Sequence, residues 1–84
     1  MNVITKKRQL LLISLRRNGI LKAESMKNVY RHVSNIYTSL KYLKKIGLVR
    51  REKNLKENLF YYTLTKKGER FADILLSIPG LYNE

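Results

Sequence analysis

Residues 34–52, SNIYTSLKYLKKIGLVRRE, change character at one glycine. Before Gly47 the apolar residues Ile36, Leu40 and Leu43 recur at i, i+4 and i+7, the spacing of a single helical stripe. After it, LVRREK alternates with a period of two, as a strand does. The stretch is therefore expected to be a helix over about 34–46 with Ser34 as N-cap, Val33 as a hydrophobic staple and Gly47 as terminator, running straight into a basic strand.

The segments on either side complete a pattern. A second extended run, LFYYTL, is joined to the first by NLKEN, which predicts an antiparallel hairpin over about 48–64 with Phe60, Tyr62 and Leu64 on its buried face. Thr65 then caps a helix over about 66–78, with Phe71, Ile74, Leu75 and Ile78 as its stripe and Pro79 at its end. Upstream, Thr5 caps KKRQLLLISLRRNG, in which Leu11, Leu12 and Leu15 form one face, Leu10 and Ile13 point elsewhere, and Gly19 closes the helix. A shorter helix is expected at about 22–30, burying Met26, Val29 and Tyr30. The order is helix, helix, helix, strand, strand, helix. The fold class is thus α+β, mostly α, with the layout of a winged helix-turn-helix, and 84 residues suffice for a single domain spanning 1–84.

Charge points to the partner. Eighteen Lys and Arg face six Asp and Glu, for a net charge of +12, which calls for a polyanion. Residues 1–35 carry eight basic and one acidic residue, 36–58 carry seven and two, and 59–84 carry three and three, so the whole excess lies in the first 58. The chain has no cysteine, which removes disulfides and thiolate metal sites and makes a cytoplasmic, nucleoid-associated location the default, or the host cytoplasm for a viral protein. No run approaches the roughly 20 apolar residues of a membrane span. His32 is the only histidine, and no carboxylate pair, nucleophile triad or glycine-rich phosphate loop is recognisable, so an enzyme is not expected and no cofactor or metal site is identifiable.

The recognition-helix, wing and closing-helix segments resemble winged-helix transcription regulators of the PadR and MarR type. The resemblance rests on Ser34, the stripe Ile36, Leu40 and Leu43, the break Gly47-Leu48-Val49, Tyr61-Tyr62, and Leu64-Thr65 with Gly68, and covers about residues 20–78. The start at Ile36-Tyr37 is most similar to PadR. Two features depart from the pattern: YRHVS lacks the glycine frequent in that turn, and Met26 stands one residue further from Ser34, so the first helix of the motif is expected to be displaced. A long C-terminal arm is not expected, and no small-molecule effector is identifiable. Its composition is compatible with a small archaeal or viral form.

With the stripe turned inward, helical geometry puts Ser34, Thr38, Lys41 and Lys45 outward, flanked by Asn35, Tyr37 and Tyr42. Such a face is polar at its N-terminal end, where a groove-inserted helix meets bases, and cationic further on. Asn35 suits an adenine edge, Thr38 a thymine methyl and Tyr37 a phosphate or sugar. Arg50, Arg51, Lys53 and Lys56 make the wing basic, suited to a minor groove or backbone. Strand alternation allows only one of Arg50 and Arg51 to face DNA, leaving the other for Glu52, Glu57 or the closing helix. Lys6, Lys7, Arg8, Arg31 and His32 are candidates for flanking phosphates. A homodimer is expected through Leu10 and Ile13 of the first helix with Phe71, Ile74, Leu75 and Ile78 of the last. The expected function is sequence-specific duplex DNA binding by a transcriptional regulator, a repressor rather than an activator. The alternatives are a winged-helix module for protein or RNA interaction, or a nonspecific chromatin-like DNA-binding protein.

Overall fold

A computed structural model describes residues 4–82. Its elements are α1 (Lys6–Asn18), β1 (Ile20–Leu21), one 3-10 turn (Ala23–Met26), α2 (Val33–Lys45), β2 (Val49–Asn54), β3 (Leu59–Leu64) and α3 (Lys66–Ser77). The strands form an antiparallel sheet in the order β1-β3-β2, and β2 with β3 is the expected hairpin. This is a winged-helix fold.

Both threonine caps form. The Arg8 N–H donates to Thr5 Oγ1 at 3.3 Å and the Gly68 N–H to Thr65 Oγ1 at 3.0 Å, each satisfying a donor that the first helical turn leaves without a partner. The α2 stripe is fully covered, with Ile36, Leu40 and Leu43 at 0% exposure. They join Leu11, Leu12 and Leu15 of α1, Met26, Leu48, Val49, Tyr62, Leu64 and Ala72 in one core cluster.

The segment read as a second helix over 22–30 is instead a single 3-10 turn, Ala23–Met26, preceded by the two-residue strand Ile20–Leu21. Ile20 and Leu21 pair with Thr63 and Tyr62 of β3, and the Thr63 hydroxyl donates to the Gly19 carbonyl at 2.9 Å, so the sheet draws the chain into an extended conformation just after α1. What remains before the turn into α2 is short. Ala23 and Met26 are both buried, and their spacing of three suits the tighter helix.

The start of α2 also differs from expectation. His32 occupies the cap position without a side-chain cap bond, and Val33 and Ser34 already lie in the first turn. Val33 packs against the core, so the helix begins early enough to turn that side chain inward, and Ser34 is left exposed as a helical residue. At the other end Gly47 adopts φ +83°, with its N–H bonded to the Lys44 carbonyl and that of Leu48 to the Leu43 carbonyl. This is the Schellman arrangement that lets a left-handed residue end a helix and turn the chain sharply.

Gly47 and Leu48 are then tied to the start of α3. The Thr65 hydroxyl donates to the Gly47 carbonyl at 2.6 Å and the Thr65 N–H to the Leu48 carbonyl at 3.1 Å. Gly68 sits so close that a Cβ there would lie 2.0 Å from the Leu48 carbonyl oxygen. Helix end, wing root and closing helix therefore share one rigid corner.

Of the hairpin face expected to be buried, Tyr62 and Leu64 are covered but Phe60 is 42% exposed. The three residues share a side of the sheet; the hairpin simply extends beyond the edge of the core, and Phe60 lies past it.

Candidate nucleic-acid interface

Beyond its buried stripe, α2 presents Ser34, Asn35, Tyr37, Thr38, Lys41 and Lys45 to solvent, together with Lys44. The Thr38 hydroxyl donates back to the Ser34 carbonyl at 2.9 Å on the exposed side of the helix. Tyr42 behaves differently. It is half-buried, and the Arg8 guanidinium stacks over its ring at 4.2 Å from the centroid. Arg8 also donates to Ser39 Oγ at 3.4 Å, and Ser39 to the Tyr30 hydroxyl at 2.9 Å. Lys7 lies over the Tyr30 ring at 5.3 Å. Arg8 thus helps fasten the start of α1 to α2 and Lys7 reaches the Tyr30 ring ahead of it, while Lys6, Lys7, Arg31 and His32 are exposed.

The hairpin separates the two arginines by side. Val49 pairs with Leu64, Arg51 with Tyr62 and Lys53 with Phe60, so these pairs share the core side of the sheet. Arg50 and Glu52 lie on the opposite side, joined at 2.8 Å in an exposed ion pair. Arg51 turns toward α2 and stacks on Phe60, its guanidinium 4.3 Å from the ring centroid, with Lys53 Nζ at 5.8 Å from the same ring. Burial pushes the Tyr62 phenol above its ordinary value, opposed by the charge of the adjacent Arg51.

Between α2 and the wing root runs a cleft of about 350 Å³ bordered by Tyr37, Leu40, Lys41, Lys44, Arg51 and Tyr62. Three cations converge on it and no carboxylate does. Lys44 was not among the residues singled out from the sequence, although Tyr37, Lys41 and Lys44 stand at i, i+4 and i+7. Their stripe is visible in the sequence, but only the position of the wing gives it a purpose.

Lys56 lies in the hairpin loop, which Asn54 fastens by accepting the Glu57 N–H at 3.0 Å. Asn58, at φ +55°, closes the turn in a conformation that asparagine tolerates well. Tyr61 donates to Glu57 at 2.8 Å, which raises its phenol and holds the loop's acidic residue on the side of the sheet away from Arg51.

The six residues expected at an interface between copies divide. Ile13 and Leu75, at 3% and 7% exposure, are covered within the chain where α1 packs on α3, and Leu10 and Phe71 are half-buried. Ile74 and Ile78 remain exposed and are joined by Leu81. Arg16 crosses from α1 to Asp73 at 2.8 Å and Glu69 at 3.5 Å, so most of the acidic charge of α3 is matched locally. Among the described residues no group of His, Cys, Asp and Glu side chains could hold a metal ion, and no helix is long and apolar enough to cross a membrane.

No family model matches the chain, and no curated protein matches it. Solved structures do. The YusO protein of Bacillus subtilis superposes with a TM-score of 0.80 at 22% identity, covering 88% of this chain and 54% of that one. The reduced form of MarR from E. coli gives 0.76 at 22%, covering 83% and 53%. The adhesin competence repressor AdcR of Streptococcus pyogenes gives 0.77 at 16%, covering 84% and 54%. The chain spans about half the length of these proteins, and at such identities the likeness is one of fold: that of the MarR-type winged-helix regulators.

Proposed function

We propose that this chain is a single winged-helix domain that binds duplex DNA sequence-specifically and regulates transcription, as a repressor that occludes its site. The observation that carries this reading is the continuity of one cationic surface from the outer face of α2, through the carboxylate-free cleft at Lys41, Lys44 and Arg51, to Lys53 on the wing. An α-helix fits the major groove, and the polar N-terminal turn with Asn35 and Thr38 is the part that meets base edges. Tyr37, Lys41, Lys44 and Lys45 contact the sugar-phosphate backbone beside it. The wing, with Arg51, Lys53 and Lys56, lies on the adjacent minor groove or backbone, and Lys6, Arg31 and His32 meet flanking phosphates.

The active form is a homodimer whose contact includes Ile74, Ile78 and Leu81 on the side away from the cationic face. Two-fold symmetry then places two copies of α2 about one helical turn, roughly 34 Å, apart on the duplex. Selection of bound sequences from a random duplex pool tests the whole proposal: enrichment of an inverted repeat with that spacing is expected, and loss of enrichment in a Thr38→Ala, Lys41→Ala double variant ties it to α2. A pool that emerges without sequence preference, or bound equally by the variant, would overturn it.

A further inference from the structure

Two aromatic rings stand open to solvent on the cationic face, where a duplex offers their π-faces no partner. Tyr37 is 48% exposed and Phe60 is 42% exposed. They border the same small depression together with Ala23 and Leu59, rimmed by Lys22 and by Glu24, the one carboxylate there. Tyr37 also borders the cleft that holds Lys41, Lys44 and Arg51. The rings therefore share a depression walled largely by apolar side chains, and through Tyr37 and Arg51 it adjoins the cationic cleft.

Phe60 is also held in place. The planar Arg51 guanidinium lies over it and Lys53 approaches it, so the ring is ordered without being covered by the core. Inside a duplex every base has its π-faces against its neighbours, and an aromatic side chain on the groove wall finds only base edges and sugars. An unpaired base has a free face. Stacking on aromatic rings and guanidinium planes, with lysines along the backbone, is the chemistry by which proteins hold single strands.

We propose that the Tyr37–Phe60 shelf, with Arg51, is a stacking site for unpaired bases, giving this protein single-strand binding in addition to its duplex site. The proposal rests on the reading of this face as a nucleic-acid surface but not on recognition of a duplex sequence. A strand laid over the shelf has its phosphates within the field of Lys41, Lys44 and Lys53, while Glu24 marks the end where the track stops.

The test is titration of the protein with labelled oligothymidylate of about 12 nucleotides, a length single-strand sites cover, with oligouridylate and a duplex of equal length in parallel. Binding of the single strand with quenching of tyrosine fluorescence is expected, and the ratio of the two strand types identifies the source. Phe60→Leu, which keeps an apolar strand residue but removes the ring, is expected to weaken single-strand binding between about fivefold and 150-fold, the equivalent of about 1–3 kcal/mol per stacked base. Duplex affinity is expected to change far less, since Arg51 and Lys53 keep their charge when the ring they stack on is removed, and Phe60→Tyr is expected to restore single-strand binding. No single-strand binding where the duplex binds, or equal losses on both ligands in a Phe60→Leu variant of native melting temperature, would overturn the proposal. Single-strand binding that persists while duplex binding fails would count against the duplex reading alone.

Discussion

Replacing Gly68 by alanine tests the corner that sets the wing against α2, and two opposing effects fix its sign. Gly68 lies in the first turn of α3, where alanine is intrinsically favoured over glycine by up to about 1 kcal/mol. Against this, the new methyl would lie 2.0 Å from the Leu48 carbonyl oxygen and 2.9 Å from its carbon, where real contacts essentially never fall under 3.0 Å. Something must move by at least 1.0 Å, the difference between 3.0 and 2.0 Å, and the nearest obstacle is backbone. Leu48 and Val49 are each 2% exposed, so they cannot give way into solvent. The movement must come from α3, whose displacement breaks the Thr65 bonds to Leu48 and Gly47. Overpacking of this kind costs about 1–3 kcal/mol and the weakened Thr65 hydrogen bonds about 1 kcal/mol. After the propensity gain the net loss is about 2 kcal/mol, which lowers the melting temperature by about 8–16 °C in a domain of this size. Thermal denaturation followed by circular dichroism measures it. The exposed neighbour Lys66→Ala is the control and is expected to stay within about 0.5 kcal/mol of the parent. A Gly68→Ala variant that melts at or above the parent temperature would refute the close approach and the rigid corner built on it.

Arg51→Ala is expected to weaken duplex binding and reduce the salt-dependence slope by about one unit, whereas Arg50→Ala leaves both near the parent and removes only an exposed ion pair worth less than about 1 kcal/mol; binding isotherms at several salt concentrations separate the two, and equal effects would contradict the assignment by side. Thr65→Ala is expected to destabilise by about 0.5–2 kcal/mol, with Thr65→Ser close to the parent; a thermal melt of both variants decides it. Sedimentation at micromolar concentration is expected to show a dimer that Ile74→Lys converts to a monomer of unchanged melting temperature, since Ile74 is 61% exposed and contributes little within one chain; a parent that sediments as a monomer would remove the interface. Three phenols are raised above 10.0, Tyr62 and Tyr82 chiefly by burial and Tyr61 chiefly by its bond to Glu57. A phenol whose value is higher folded than unfolded gives its full contribution below pH 10 and loses it as pH climbs through the folded value, so stability is expected to fall in the alkaline range above 10, with more phenolate absorbance at pH 10 from the unfolded than from the folded chain.

What the sequence disclosed was whatever local spacing decides. Thr5 and Thr65 each precede a helix whose donors they can reach, Ile36, Leu40 and Leu43 repeat at the helical period, and Gly47 supplies a conformation other residues resist. What it hid depends on partners distant in the chain. Ile20 and Leu21 carry no strand signal of their own, because their extended form comes from pairing with Thr63 and Tyr62, more than forty residues later. The exposure of Phe60 follows from where the core ends, and alternation alone assigns it to the buried side. Ser34 had the right chemistry for a cap, but Val33 needed a helical position to reach the core, and that burial prevailed.

The choice between Arg50 and Arg51 shows how a site inherits its geometry from packing. Val49 is buried and opposite Leu64, so odd-numbered residues of β2 share the core side and even-numbered ones the outside. Past the edge of the core that same side has no apolar neighbour to cover, and the positions that would have been core become Arg51, Lys53 and Phe60. The parity is set by the length of the corner: one residue, Leu48, separates Gly47 from Val49, and the Thr65 N–H and Gly68 both bear on its carbonyl. One residue more or fewer there would turn Arg50 and Glu52 toward α2 and put an acid in the cleft. The cationic track thus depends on a buried valine and a short corner, neither of which touches it.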